Sequence, residues 1–146
     1  MEKGCQRRIP TPGYNQRKNT FVTLFWPKKR NGFIFNTFEK RRSREFKLHL
    51  SNILQYARRH HIKKVILFLD HAPCHKTKNV NRFVRTHPIL KVKWFPKRSP
   101  NLNPVERLVN KPLKSAICTN RSYYHIDDVV REMRLFLRKY QRTFRT

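Results

Sequence analysis

The sequence predicts a mixed α/β fold, and three observations support this prediction. Two β-rich runs near the N-terminus are separated by turn residues, a continuous apolar run of strand length ends on Asp70, and helical patterns alternate with the later runs. The predicted order is hairpin, helix, strand, helix, strand and helix. A chain of 146 residues with 38% hydrophobic and 12% aromatic content can build one core, so residues 1–146 are predicted to form a single domain.

The first elements are a hairpin and a long helix. Residues 19–26 and 31–38 are the β-rich runs, and the "PKKRNG" between them contains proline and Asn-Gly turn chemistry. From Ser43, a candidate helix cap, apolar residues recur at helical spacing until the cationic residues 58–61. Trp26 and Trp94 fall in strand patterns, so we expect both side chains in the core.

The next elements alternate between strand and helix. Residues 65–69 read as a parallel strand buried on both faces, followed by a helix at 76–87 and a strand at 89–95. A proline-rich loop leads to Asn103 and Pro104, a strong helix start, and that helix should run to about residue 113 or 117. Pro112 would kink it or stop it early. The last helix covers residues 126–140.

The charge of the chain indicates a polyanionic partner. There are 35 lysines and arginines against 8 acidic residues, a net charge of +27 and a pI near 11.3. DNA or RNA is the expected partner because such a balance repels itself without a polyanion. An anionic membrane surface is the rival interpretation, but the basic residues are spread along the whole chain rather than along one amphipathic helix.

Other compositional features exclude several classes of protein. The three cysteines, Cys5, Cys74 and Cys118, form no CxxC pair, which argues against a zinc ribbon or a disulfide framework and for a reducing compartment. No signal peptide and no apolar run of membrane-spanning length is found, so we expect an intracellular protein without a membrane partner.

Two acidic residues stand where catalytic carboxylates are often found. Asp70 ends a predicted parallel strand, and Glu106, the only acid between His71 and Ile126, lies one turn into a later helix. Magnesium binds oxygen ligands, and shared carboxylates can hold two ions for phosphoryl transfer. The alternatives are structural: Asp70 could cap the next turn, and Glu106 could stabilise its helix start. His75 is either a packing residue beside the site or, less in keeping with magnesium, a ligand.

The residues around these acids match a known pattern. "VILFLDHAPCHKTKNV" and "VKWFPKRSPNLNPVERL", with 35 residues between Asp70 and Glu106, resemble the DDE-type transposases of the mariner superfamily and of related bacterial and archaeal insertion sequences. In that family a strand ends in Asp-Asn-Ala-x-x-His, and Pro-x-x-Ser-Pro-x-Leu-Asn-Pro-x-Glu opens a helix. The upstream "IPTPGYNQRKNTFVTLFWPKKRNGFIF" is similar to the family's second and third strands, so the likeness covers nearly the whole chain.

The resemblance implies a ribonuclease H-like mixed sheet with flanking helices. It implies that Asp70 and Glu106 are the second and third acids of a catalytic triad and ligands of Mg²⁺ or Mn²⁺; no other cofactor is implied. The family's first aspartate ends an earlier, central strand. Before Asp70 this chain has only three acids, none at the end of an apolar strand, so that strand is expected to be missing and the catalytic domain partial. His71 replaces the family's asparagine, and Val109 stands where tryptophan is common.

The predicted function is therefore that of a transposase catalytic-domain fragment. It should bind DNA mainly through phosphates, derive from a metal-dependent DNA cleavage and strand-transfer enzyme of an insertion sequence, and be inactive alone. Self-association, or pairing with an upstream transposase fragment, is the expected partnership. The alternative is a non-catalytic basic protein that binds nucleic acid.

Overall fold

The computed structural model describes residues 18–25, 32–118, 123 and 125–143. The strands within these residues are β1 (Asn19–Leu24), β2 (Phe33–Phe38), β3 (Val65–Leu69) and β4 (Leu90–Trp94). The helices are α1 (Ser43–Arg59), α2 (Lys78–Thr86), α3 (Lys111–Cys118) and α4 (Ile126–Thr143). This order confirms the predicted mixed α/β layout. Cys5, Trp26 and most of the predicted hairpin turn lie outside the described residues. No helix in the described ranges is long and apolar enough to cross a bilayer.

The β1–β2 hairpin is antiparallel, and its register places apolar residues on both faces. Asn19 pairs with Phe38 and Leu24 with Phe33. Gly32 adopts a φ of 64°, and its carbonyl accepts a 2.8 Å hydrogen bond from the Phe25 amide, which extends the ladder by one pair. A positive φ is unfavourable for residues with a Cβ, so this position suits glycine.

Each face of the hairpin packs into a different apolar core. The first core joins β1, α1, β3 and α2, and its buried residues are Phe21, Phe46, Leu50, Ile53, Leu67, Leu69, Cys74 and Val80. The second core joins β2, α3, α4 and the turn before α3, and its buried residues are Phe33, Val109, Leu113, Ile117, Met133 and Leu137. Because side chains alternate along a strand, a single hairpin can supply both cores.

The β3–β4 sheet is parallel, with Leu67 paired to Val92, and only one of its faces is covered. Leu67 and Leu69 are buried, whereas Ile66 is 45% and Phe68 is 54% exposed. The prediction of a strand buried on both faces is therefore wrong. The second core stacks α3 and α4 on the hairpin, and no described element covers the outer face of β3. Trp94 is likewise 39% exposed, so its predicted core position is also wrong.

The two sheets remain separate within the described part of the chain. β1 pairs only with β2, and β3 pairs only with β4, so each of the four strands has one edge without a partner strand among the described residues. A cavity of about 780 Å³ is lined by residues 20–24 of β1 and by every residue of β3. We call it the inter-sheet cavity. It opens between the two halves of the domain.

Two helix starts differ from the predictions. Ser43 is the first residue of α1 rather than its cap; the preceding Arg42 makes no side-chain cap and instead pairs with Glu45 at 3.1 Å. α2 begins at Lys78 rather than at residue 76, and the Thr77 hydroxyl accepts a 3.3 Å hydrogen bond from the Val80 amide. A short 3₁₀ turn, Pro73–His75, occupies the chain just before it.

His49 of α1 ties the helix to both strands of the hairpin. It is 1% exposed, with Nε2 2.7 Å from the Thr23 hydroxyl and Nδ1 2.7 Å from Oδ1 of Asn36. An amide oxygen only accepts, so Nδ1 donates to Asn36 and Nε2 accepts from Thr23. Burial, with a smaller effect from the charge of His75, lowers the pKa of His49 to about 4. The imidazole is therefore neutral in the folded protein at neutral pH.

This burial predicts a pH-dependent stability. The pKa of a histidine in the unfolded chain is near its ordinary value of 6.5, so the unfolded state binds more protons than the folded state below that pH. The contribution of neutral His49 to the free energy of unfolding is therefore complete above pH 6.5 and is lost as the pH falls toward 4. We expect the free energy of unfolding, measured with urea, to drop by about 2 kcal/mol between about pH 7.5 and about pH 5. His49→Gln should flatten this dependence, whereas the exposed-site control His125→Gln should keep it.

Candidate active site

Asp70 lies at the carboxyl end of β3, where parallel strands present ligand-binding groups. It follows Leu69, whose carbonyl accepts a 2.8 Å hydrogen bond from the Phe95 amide at the end of β4. One oxygen of Asp70, Oδ1, accepts a 3.1 Å hydrogen bond from the Ala72 amide. Its side chain is 52% exposed. The turn therefore fixes the carboxylate while leaving it accessible.

His75 holds the same carboxylate from the buried side. Its Nδ1 lies 3.0 Å from Oδ1 and 3.3 Å from the backbone carbonyl of Asp70. Both are acceptors, so Nδ1 carries the proton. Burial lowers the pKa of His75, although its hydrogen bonds and charge interaction with Asp70 oppose the change. The ring packs on Phe46, with centroids 4.2 Å apart, as expected for a packing residue beside the site.

His71 links the ends of the two parallel strands. Its Nε2 lies 2.6 Å from the carbonyl oxygen of Phe95 and donates to it. The ring stacks on Trp94 at 5.5 Å, and Lys76 Nζ lies 5.8 Å from the centroid of the indole. Nδ1 of His71 is buried and makes no hydrogen bond to any described residue. The imidazole thus stands where the resemblance leads us to expect asparagine, and it links the two strand ends beside Asp70.

Glu106 lies in the first turn of a helix that is capped by Asn103. Oδ1 of Asn103 accepts a 3.2 Å hydrogen bond from the Val105 amide, which confirms the predicted cap, and Pro104 opens the helical turn. Glu106 follows one turn in, as its spacing predicts. Its Oε2 accepts a 2.9 Å hydrogen bond from the carboxamide of Asn110, and Lys114 Nζ lies 3.8 Å from Oε1.

Pro112 does not stop this helix. A π-helical turn, Glu106–Asn110, precedes α3, with the Lys111 amide donating to the carbonyl of Glu106 five residues back. Proline cannot donate a backbone hydrogen bond and clashes with the preceding turn of an α-helix. The wider turn accommodates it, so the chain remains helical to Cys118. Val109, where the family often has tryptophan, is fully buried in the second core.

The structure brings Asp70 and the helix start before Glu106 to one cavity, but it does not bring the Glu106 carboxylate there. Asp70 lines the inter-sheet cavity together with three residues at the helix start and Asn110, the partner of Glu106; the three are Asn103, Pro104 and Val105. Glu106 itself is not among the lining residues. Its carboxylate is occupied by groups of its own helix. Asn110 and Lys114 were missed by the sequence reasoning, although their positions four and eight residues after Glu106 place them on the same helix face.

The chemistry of the two acids can be compared with what a metal site needs. Two carboxylates suit a hard divalent cation, which prefers oxygen ligands. However, the described residues contain no group of three or more histidines, cysteines and acids that could hold a metal ion. The donor chemistry fits Mg²⁺ or Mn²⁺, whereas the number of donors is too small for two ions.

A mixed α/β fold with one acid at a strand end and another at a helix start is typical of metal-dependent enzymes that act on phosphodiesters. The family model described as DDE superfamily endonuclease matches residues 1–130, and the chain belongs to that family. The family has a ribonuclease H-like fold, acts on DNA and generally uses a divalent metal. A search of curated proteins found no match to this chain.

The cap of this helix gives a direct stability prediction. Asn103→Ala removes the side-chain acceptor of the Val105 amide, and we expect the free energy of unfolding to fall by about 1 kcal/mol. Asn101→Ala, an exposed asparagine in the same loop, is the control and should change it by less than about 0.5 kcal/mol. Urea titration followed by circular dichroism measures both. Equal effects of the two variants would refute the capping role.

Proposed function

We propose that this chain is part of the catalytic domain of an insertion-sequence transposase of the mariner superfamily. Asp70 and Glu106 are the second and third acids of its active site. The observation that carries the proposal is the placement of Asp70 at the carboxyl end of β3, lining one cavity with the capped loop that introduces Glu106. The match to the DDE superfamily endonucleases supports it.

Each site residue has a distinct task in this proposal. Asp70 and Glu106 would hold Mg²⁺ or Mn²⁺; when bound, such ions activate the attacking oxygen and stabilise the leaving oxygen of a phosphodiester. His75 and the Ala72 amide orient Asp70 through Oδ1, and the side chain remains 52% exposed. Asn110 orients Glu106. These hydrogen bonds reduce the freedom of both carboxylates before any metal arrives.

The remaining acid would come from a strand placed between β1 and β3. These strands border the inter-sheet cavity, and neither has a partner on its second edge among the described residues. Exposed Ile66 and Phe68 on the outer face of β3 provide further apolar surface that an added segment could cover. An upstream transposase segment is the proposed donor, and a second copy of this chain is the other candidate for the same edges.

DNA would be bound mainly through its phosphates, inside the cell. The net charge of +27 supports strong, salt-sensitive and largely sequence-independent binding. A second function, that of a non-catalytic nucleic-acid-binding protein, is favoured by one observation: the described residues lack a complete metal-binding cluster. The two proposals differ in whether a supplied strand creates a metal site.

We expect a strand peptide to complete the domain. The probe is a peptide of roughly six to ten residues taken from the first strand of a related DDE transposase and ending in its aspartate. At saturation it should raise the Tm by roughly 5–10 °C, because it binds only the folded chain. Calorimetry should then detect Mg²⁺ binding that is lost in Asp70→Asn and in Glu106→Gln.

The matched control is the same peptide with asparagine in place of its terminal aspartate. It should raise the Tm equally without creating the Mg²⁺ site. A peptide that binds but yields no metal site would favour the non-catalytic function. If neither peptide changes the Tm, the cavity is not a strand site and this account of the fold is wrong.

Without the added strand, the chain should not cut DNA. Two carboxylates cannot position two ions, so supercoiled plasmid incubated with the protein and Mg²⁺ or Mn²⁺ should stay intact on an agarose gel. The Asp70→Ala variant controls for contaminating nuclease. Metal-dependent nicking by the wild-type chain that disappears in this variant would show that the described acids suffice and would overturn the prediction.

A further inference from the structure

A second groove runs along the outer edge of β2, on the opposite edge of the hairpin from the inter-sheet cavity. Two adjoining cavities of about 580 and 490 Å³ form it, between β2 and α1 on one side and α4 on the other. Both are lined by Thr37 and Phe38 of β2 and by Arg134 and Arg138 of α4. We call this the β2-edge groove.

The charge of the groove is not neutralised. Arg134 and Arg138 are exposed, lie one turn apart on the same face of α4 and have no ion-pair partner in the described part of the chain. By contrast, Lys18 at the mouth of the groove pairs with Glu39 at 3.1 Å. Asp127 also lines the groove. Two unpaired guanidinium groups therefore face one trough about 6 Å apart along the helix axis.

The opposite wall adds neutral hydrogen-bond donors. Asn52 and Gln55 of α1 line the groove, and neither is among the described residues with a side-chain hydrogen bond. β2 has no partner strand on this side in the described residues, so part of its backbone faces the groove. Leu48, which is 50% exposed, contributes an apolar lining. The trough thus combines two unpaired arginines and the Asp127 carboxylate with amide donors and an apolar surface.

We propose that the β2-edge groove binds the sugar-phosphate backbone of a nucleic acid. The inference rests on the proposed DNA-acting function and adds a specific track away from the acid pair. Guanidinium groups bind phosphate oxygens through two parallel hydrogen bonds, and carboxamides commonly contact the same oxygens. The apolar lining suits the sugar rings. Duplex DNA, single-stranded DNA and RNA share this chemistry.

The test removes the two arginine charges of the groove and compares the effect on binding with that of removing two arginine charges elsewhere. Arg134→Gln/Arg138→Gln is the groove variant, and Arg82→Gln/Arg85→Gln on exposed positions of α2, which line none of the three cavities, is the matched control. Fluorescence anisotropy with labelled random duplex, single-stranded DNA and RNA gives the affinity across a salt series. Circular dichroism establishes that each variant is folded.

We expect the groove variant to reduce the log–log salt slope for duplex DNA by about 1.8, or for single strands by about 1.4. The control should change the slope by less than half as much. The probe with the larger change identifies the ligand. Gln55→Glu, an isosteric change that places a carboxylate in the groove, should weaken binding at least threefold more than Asn81→Asp on α2.

Three results would refute the proposal that the β2-edge groove binds a nucleic-acid backbone. Equal slope changes in the groove and control variants would leave DNA binding intact but assign it to overall charge. If the Gln55→Glu variant bound nucleic acid as tightly as the Asn81→Asp variant, binding would likewise be assigned to overall charge. An acidic peptide of matched charge that displaces the oligonucleotide at equal concentration would indicate a protein ligand. Failure of the wild-type chain to bind any probe would instead contradict the proposed function itself.

Discussion

The alternation of apolar side chains along one hairpin is the constraint on which the domain depends. Phe21 faces α1 and Phe33 faces α3 and α4, so the two cores are joined through the backbone of β1 and β2. A slip of one residue in the β1–β2 register would move every side chain of the slipping strand to the other face and so remove its apolar residues from their core. His49 resists such a slip because its two ring nitrogens bond to one side chain on each strand.

Local chemistry explains which parts of the fold and site were predictable. The asparagine cap and the turn before Glu106 followed from residues within a few positions of one another, as did the strand ending at Asp70. The exposure of Ile66, Phe68 and Trp94 was not predictable in this way, because it depends on which elements pack against the sheet. An apolar run indicates a strand suited to burial on both faces; it does not reveal whether something covers each face.

For the two acids, the sequence pattern predicts their positions but not the residues that orient them. Their positions at a strand end and in a helix start are encoded locally, whereas the partners that orient them come from four or five residues away. His75 reaches back to Asp70 through a 3₁₀ turn, and Asn110 reaches Glu106 through a π-helical turn. Neither turn type was predicted, because hydrophobic periodicity distinguishes poorly between helices of different pitch over such short segments.

The π-helical turn before α3 sets the angular phase of Glu106. In an α-helix each residue advances by about 100° around the axis, whereas each residue of a π-helical turn advances by less, because the turn holds one more residue. Val109, Leu113 and Ile117 anchor the later part in the second core. If the same five residues formed an α-helical turn, that anchor would stay and the Glu106 carboxylate would point in a different direction. The direction of the acid thus depends on the pitch of this turn as well as on residue identity.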